Sequence, residues 1–287
     1  MLVYFVATVF LGALLAPALF WSAQWVVGHG WFLFLAKFDF ETFFHRALLL
    51  AGLILLWPLL RSIRVRTMSD LALESNPHWL RDVIAGFVLS ATPLLCCGAI
   101  VIALHIYSLR HAIDGAALAR VVGSALVVPV IEETFFRGLV LGMLLRSGRK
   151  YKSIFATSAF YSIVHFLKAP EHTSTIVSWT SGFRSVANSF VQFADPMLVA
   201  AAFTTLFLIG WILADGRLRT RSLWLPIGLH AGWILANGVF NKIAHREMLA
   251  LPWLGKNLLV GFVPLAVGLL TWGLVRIWLE YDRARKV

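Results

Sequence analysis

The sequence predicts an all-α protein, a polytopic transmembrane helical bundle of about eight spans with both termini cytoplasmic. Three observations carry this. The 287 residues are 60% hydrophobic and only 14% charged, whereas a soluble domain is about a quarter charged. The apolar residues fall in blocks of about 20, the length that crosses a hydrocarbon core of about 30 Å. The blocks do not alternate with the two-residue period of a membrane barrel strand, and inside a bilayer a non-barrel segment must satisfy its own backbone as a helix.

The blocks lie at about 3–22, 47–63, 83–109, 115–145, 152–169, 196–214, 222–243 and 258–279. The first lacks a basic stretch ahead of its apolar run, so it reads as a span rather than a cleavable signal peptide. The third holds the only cysteines, Cys96 and Cys97. Adjacent on a helix, they cannot readily bond to each other and form neither a disulfide framework nor a zinc site, so they read as small packing residues. Between the fifth and sixth blocks, about 170–195 is the longest polar stretch, with Thr173, Ser174, Thr175, Ser178, Thr180, Ser181 and Ser185 among Ile, Val, Trp and Phe. It reads as an outer loop or interfacial helix, with a lid over a site as the alternative. No internal repeat is visible, which disfavours an inverted-repeat transporter. One membrane domain is expected, divided into N-terminal spans at 1–80, a core at 81–245, and a last span with a basic tail at 246–287.

The net charge is +11 and the pI about 10.3. In a soluble protein this would raise nucleic acid as a partner; here the basic residues read as topology signals. Arg61, Arg64, Arg66, Arg81, Arg146, Arg149, Lys150, Lys152, Arg217, Arg219, Arg221, Arg276, Arg283, Arg285 and Lys286 all fall on one side of the eight-span arrangement. The opposite loops hold Lys37, Arg46, Arg110, Arg120, Lys168, Arg184, Lys242, Arg246 and Lys256. The richer side is expected to be cytoplasmic, giving an integral multi-pass protein, expected in a bacterial inner or plasma membrane, whose partner is the bilayer and not nucleic acid.

Charge inside a span is costly, so intramembrane ionisable residues are functional candidates. The fourth block reads Pro129-Val-Ile-Glu132-Glu133-Thr-Phe-Phe-Arg137-Gly138; the fifth holds Tyr161 and His165, the seventh His230. Glu133 and Arg137, four apart, share a helix face and can pair. Glu132 is turned about 100° away and is expected to be left for chemistry. Counting about 1.5 Å per residue from the basic markers Arg146 and Lys152, Glu132 and His165 both lie about 20 Å deep, while His230 lies about 13 Å from Arg221. Glu and His in one layer suit hydrolysis: a carboxylate takes a proton from water, and an imidazole can stabilise an oxyanion. His105 reads as a helix–helix hydrogen-bonding residue; His29, His45, His78, His111, His172 and His245 lie near loops and receive no role.

Glu132-Glu133-x-x-x-Arg137, then an aromatic-x-x-x-His165, then Leu225-Pro-x-x-x-His230-Ala-Gly-Trp resemble the CAAX protease and bacteriocin-processing (CPBP, or Abi) family over about 80–245. These are glutamic-type intramembrane endopeptidases, which implies a membrane-anchored protein or peptide substrate as a partner. The resemblance implies Glu132 as the water-activating carboxylate, Glu133 and Arg137 as its supporting pair, His165 as the histidine sharing the water and His230 as the oxyanion ligand. Two positions depart from the pattern. Tyr161 stands where the family has Phe, and Ile234 where it often has Asn or Asp; the nearest amide is Asn237, which could reach the site only from an irregular helix. No cofactor is expected. Zinc is the alternative, and without a His-Glu-x-x-His it is not favoured. A non-catalytic scaffold or transporter, such as a bacteriocin-immunity protein, is the other alternative.

Overall fold

The structure is a computed structural model that describes residues 2–63, 67–74, 76–165, 176–248, 252–255 and 257–284, without the Gln192 side chain. Arg64, Arg66, Lys168, His172, Thr173, Ser174, Thr175, Lys256, Arg285 and Lys286 therefore lie outside the described residues. The elements are α1 (Leu2–Gly28), α2 (Phe40–Ser62), α3 (Trp79–Ala103), β1 (Tyr107–Leu109), α4 (Gly115–Glu133), a π-helical stretch (Thr134–Val140), α5 (Leu141–Leu145), α6 (Lys150–His165), α7 (Ser181–Asn188), α8 (Pro196–Thr220), α9 (Trp224–Ile243), β2 (Ala244–Arg246) and α10 (Phe262–Ala284).

Among the described residues, six helical stretches are long and apolar enough to cross a membrane: α1, α2, α3, Gly115–Leu145, α8 and α10. The protein is a multi-pass helical membrane protein. Of the eight expected spans, the block at 222–243 does not meet that standard; it is α9, 20 residues with buried faces on most turns. The block at 152–169 is α6 as far as His165, and its residues 166–169 lie outside the described residues. The expected span 83–109 also ends early. Its helix stops at Ala103, His105 takes a left-handed φ of 55°, and Tyr107–Leu109 pairs antiparallel with Ala244–Arg246.

The chain divides into two compact units, Met1–Arg66 with Ile163–Asp195 and Thr67–Ser162 with Pro196–Val287. In the first, Ala13, Ala16, Phe40, Phe44 and Ala47 form a core, and the Tyr4 hydroxyl donates to the Gly52 carbonyl at 2.8 Å. Asp39 caps α2 by accepting from the Thr42 amide at 3.1 Å, filling one of the orphan donors of a helix start. The polar stretch yields α7, which lays Gly182 on the backbone of Ala13.

In the second unit α9 packs on α3 along a seam of small residues. A methyl group on Gly228 would meet the Val83 carbonyl at 2.1 Å, and one on Gly86 the Leu225 carbonyl at 2.5 Å. Gly232 lies equally close to Ser90. Gly228 and Gly232 are one turn apart, as are Gly86 and Ser90, so two small-residue faces meet. Lipid gives little hydrophobic drive between helices, and such close backbone approach supplies dispersion contact instead. Asp215 ties α8 to α10: its carboxylate accepts from Arg219 Nε at 3.0 Å and Trp272 Nε1 at 3.0 Å, and pairs with Arg276 at 3.0 Å.

Candidate active site

The end of α4 is irregular for reasons visible in its sequence. Pro129 lies inside the helix and has no amide to donate. The Thr134 hydroxyl donates back to the Val130 carbonyl at 2.6 Å, a bond that tends to bend helices. The chain then widens into the π-helical turn of Thr134–Val140, a form found mostly as single turns at functional sites. Gly138 sits under the Leu71 carbonyl, where a methyl group would come within 2.9 Å.

This turn carries a fully buried ion pair. Arg137 donates from one terminal nitrogen to Glu133 Oε1 at 2.9 Å and from the other to the Gly210 carbonyl of α8 at 3.3 Å. Both side chains are 0% exposed. The guanidinium carbon lies 4.4 Å from the centre of the Tyr161 ring, and a buried cation over an aromatic face gains about 2 kcal/mol. Phe136 meets Tyr161 edge-on at 5.1 Å. The pairing of Glu133 with Arg137 is therefore as the helix spacing predicts.

Glu133 does more than hold the arginine. His230 Nδ1 lies 2.8 Å from the same oxygen, Oε1. A carboxylate only accepts, so Nδ1 carries the proton, and Nε2 is the ring nitrogen left for other partners. Nε2 stands 3.9 Å from Glu132 Oε2, beyond a direct hydrogen bond. Glu132 is the less enclosed of the two acids, its side chain 28% exposed against 0% for Glu133. Thus Glu132, Glu133, Arg137 and His230 come together within the second unit. His165 is the exposed last residue of α6 and is counted in the first unit.

Three features had no part in the sequence reading. The Gly210 carbonyl is one backbone acceptor among many and has no sequence signature. The bridging role of Glu133 needs His230 at its height, which depends on the α3–α9 seam. That seam did leave a signal, the Gly228-x-x-x-Gly232 spacing. Asn237 stands seven residues beyond His230 on a continuous helix, about 10 Å along the axis. The irregularity that could have brought it back is absent from α9, and its Oδ1 is buried with no hydrogen-bond partner among the described residues. Among those residues, no three His, Cys, Asp or Glu side chains gather in a way that could hold a metal ion.

A multi-pass helical membrane protein with two adjacent acids, an arginine and a histidine gathered beside a π-helical turn is thus defined. Residues 114–236 match the family model described as Rce1-like, Type II CAAX prenyl endopeptidase, and this stretch of the chain is an Rce1-like domain of the CPBP family. The match starts at the Asp114 cap of α4, ends inside α9, and includes Glu132, Glu133, Arg137, His165 and His230. Comparisons with the curated proteins and with the solved structures found no match.

Proposed function

We propose that this protein is an intramembrane endopeptidase that hydrolyses peptide bonds of a membrane-associated protein or peptide by glutamate-activated water. The observation that supports it most is the unequal use of the paired acids. Glu133 is taken up by Arg137 and His230 on a single oxygen, while Glu132 faces the remaining nitrogen of His230. Glu133 is the carboxylate seen paired with the buried guanidinium.

In this reading Glu132 takes a proton from water as its oxygen attacks the scissile carbonyl, and the same carboxylic acid returns that proton to the leaving amine. His230 donates to the oxyanion from Nε2, which requires the doubly protonated ring, with Glu133 as its counter-charge. His165 takes the role that the family resemblance assigns, orienting the water. Glu133 and Arg137 act as positioning residues.

The test compares membrane peptides from cells that make the wild type or Glu132→Gln. The new peptide ends found with the wild type should be missing with the variant; if both strains give the same ends, hydrolysis by Glu132 is ruled out. Chelator treatment of the purified protein distinguishes metal-free chemistry, in which cleavage persists, from the zinc reading, in which it stops.

A further inference from the structure

A polar cavity of about 320 Å³ opens at the arginine-rich end of the second unit, apart from the acid cluster. Its walls come from the approach to α3, the turn between α8 and α9, and the last turns of α10; Asp82, Arg219, Arg221, Trp278, Asp282 and Arg283 are the lining residues that matter. Three of the helices that meet there are long enough to cross a membrane, so the cavity lies at a membrane boundary. Aromatic residues mark the same level. Trp79 and Trp224 meet at 5.4 Å with their rings tilted by 52°, and Tyr281 is exposed; such side chains collect where headgroups begin.

The charges in the cavity are divided by function. Its buried acid, Asp82, is already satisfied, Asp282 is paired, and Glu74 is exposed. Asp82 accepts from Asn76 at 3.0 Å and Arg81 at 3.3 Å, and Arg81 also pairs with Asp282. The arginines are the cationic groups left over. Arg219 binds Asp215 through Nε, and none of its terminal nitrogens is used in a described bond, so Asp215 fixes a guanidinium whose fork is available. Arg221 and Arg283 make no ion pair among the described residues. The backbone at Arg221 adds a second observation: its φ is 55°. Glycine takes that conformation at no steric cost and a side chain does not. A strained arginine held at a cavity mouth points to a use for its side chain.

The structure assigns this cavity as a binding site for a phosphate group, held by Arg221 and Arg283 with Arg219 behind them. A phospholipid headgroup and free phosphate share that chemistry. Delipidated wild type in detergent is titrated with phosphatidylglycerol, with a diacylglycerol of the same chains, and with inorganic phosphate, and bound species are followed by native mass spectrometry. Phosphatidylglycerol should bind and diacylglycerol should not. Binding should weaken by about tenfold for each arginine lost in Arg283→Gln and in Arg221→Gln/Arg283→Gln. Both variants should keep the melting temperature of the lipid-free wild type, and the exposed Arg283 alone gives a reading if the double variant does not fold. Inorganic phosphate that displaces the lipid makes free phosphate a sufficient ligand; failure to displace it makes the lipid the source. Equal lipid binding by wild type and Arg283→Gln, equal binding of diacylglycerol, or binding of neither lipid nor phosphate by wild type overturns the assignment.

Discussion

Glu133 Oε1 receives His230 Nδ1 at 2.8 Å while it holds Arg137 at 2.9 Å. One oxygen atom thus joins α9 to the π-helical turn that follows α4. It fixes both the charge balance of the cluster and the direction in which the imidazole points.

Loss of Glu133 is expected to act first on stability. Glu133→Gln leaves Arg137 buried at 0% exposure without the carboxylate it pairs with. Breaking a buried pair on one side costs about 3–5 kcal/mol. Unfolding in mixed micelles should show a loss of that order, and an unchanged midpoint would mean that the pair is not load-sharing in the way the geometry requires.

Glu132→Gln should have the opposite profile. Glu132 is the more exposed of the two acids, so the melting temperature should stay close to wild type. Cleavage should fall by about a hundredfold or more, the usual scale for removing a general base. Both are read on one purified sample, by thermal melting and by appearance of new peptide ends.

Tyr161 should act through its ring. Arg137 lies over it at 4.4 Å, so Tyr161→Phe should keep most of the stability. Tyr161→Leu should lose about 2 kcal/mol or more, the cation–π term together with lost packing. Equal stability of Phe and Leu variants would remove the ring from the account of how Arg137 is held.

Gly228→Ala is a small change at an intolerant place. The new methyl group would meet the Val83 carbonyl at 2.1 Å, and backbone has to move to admit it. A loss of about 1–3 kcal/mol is expected, with a fall in activity because His230 is carried on the same helix. Gly123, which has nothing within 4 Å of an added methyl, is the control, and Gly123→Ala should be silent in both assays.

The start of α4 should be acid-sensitive. Asp114 caps it, accepting from the Ala116 amide at 2.9 Å. Its carboxyl is held below the ordinary range, chiefly by the hydrogen bond from the Ala117 amide, with further help from Ala116 and Arg120. A lowered folded-state pKa means the stabilisation is complete above the unfolded value and is lost as pH falls through the folded one. The stability advantage of wild type over Asp114→Ala should therefore be full at neutral pH and shrink on acidification. An advantage that stays constant down to strongly acid pH would exclude the carboxylate as its source.

The sequence disclosed the parts of this protein that depend on composition and local spacing. Apolar length marks α1, α2, α3, α8 and α10, because the bilayer sets a fixed thickness. The four-residue step from Glu133 to Arg137 gives their pairing, and the three separated motifs give the family. Tertiary surroundings hid the rest. α9 is apolar because protein encloses it, and that looks the same in a sequence as being apolar towards lipid. The turn after Ala103 is hidden for a similar reason: Leu104, Ile106, Tyr107 and Leu109 continue the apolar run, so hydropathy carries on where the helix has stopped. The contact between Glu133 and His230 joins residues 97 positions apart, and no local pattern encodes that distance.

The π-helical turn at Thr134–Val140 makes this stretch sensitive to the number of its residues as well as to their kind. A wide turn accommodates one residue more than the α-helical repeat. Deleting any one of the seven would let the coil close to ordinary spacing with the helices on either side kept near their present phase, since the wide turn had absorbed the extra residue, and only the residues inside the turn would change their facing. What is lost is then the shape of the turn itself, not the chemistry of its side chains. Alignments of this region between related chains should be judged by whether a single-position gap is needed here, since a gapless alignment across a narrowed turn would pair residues that face different neighbours.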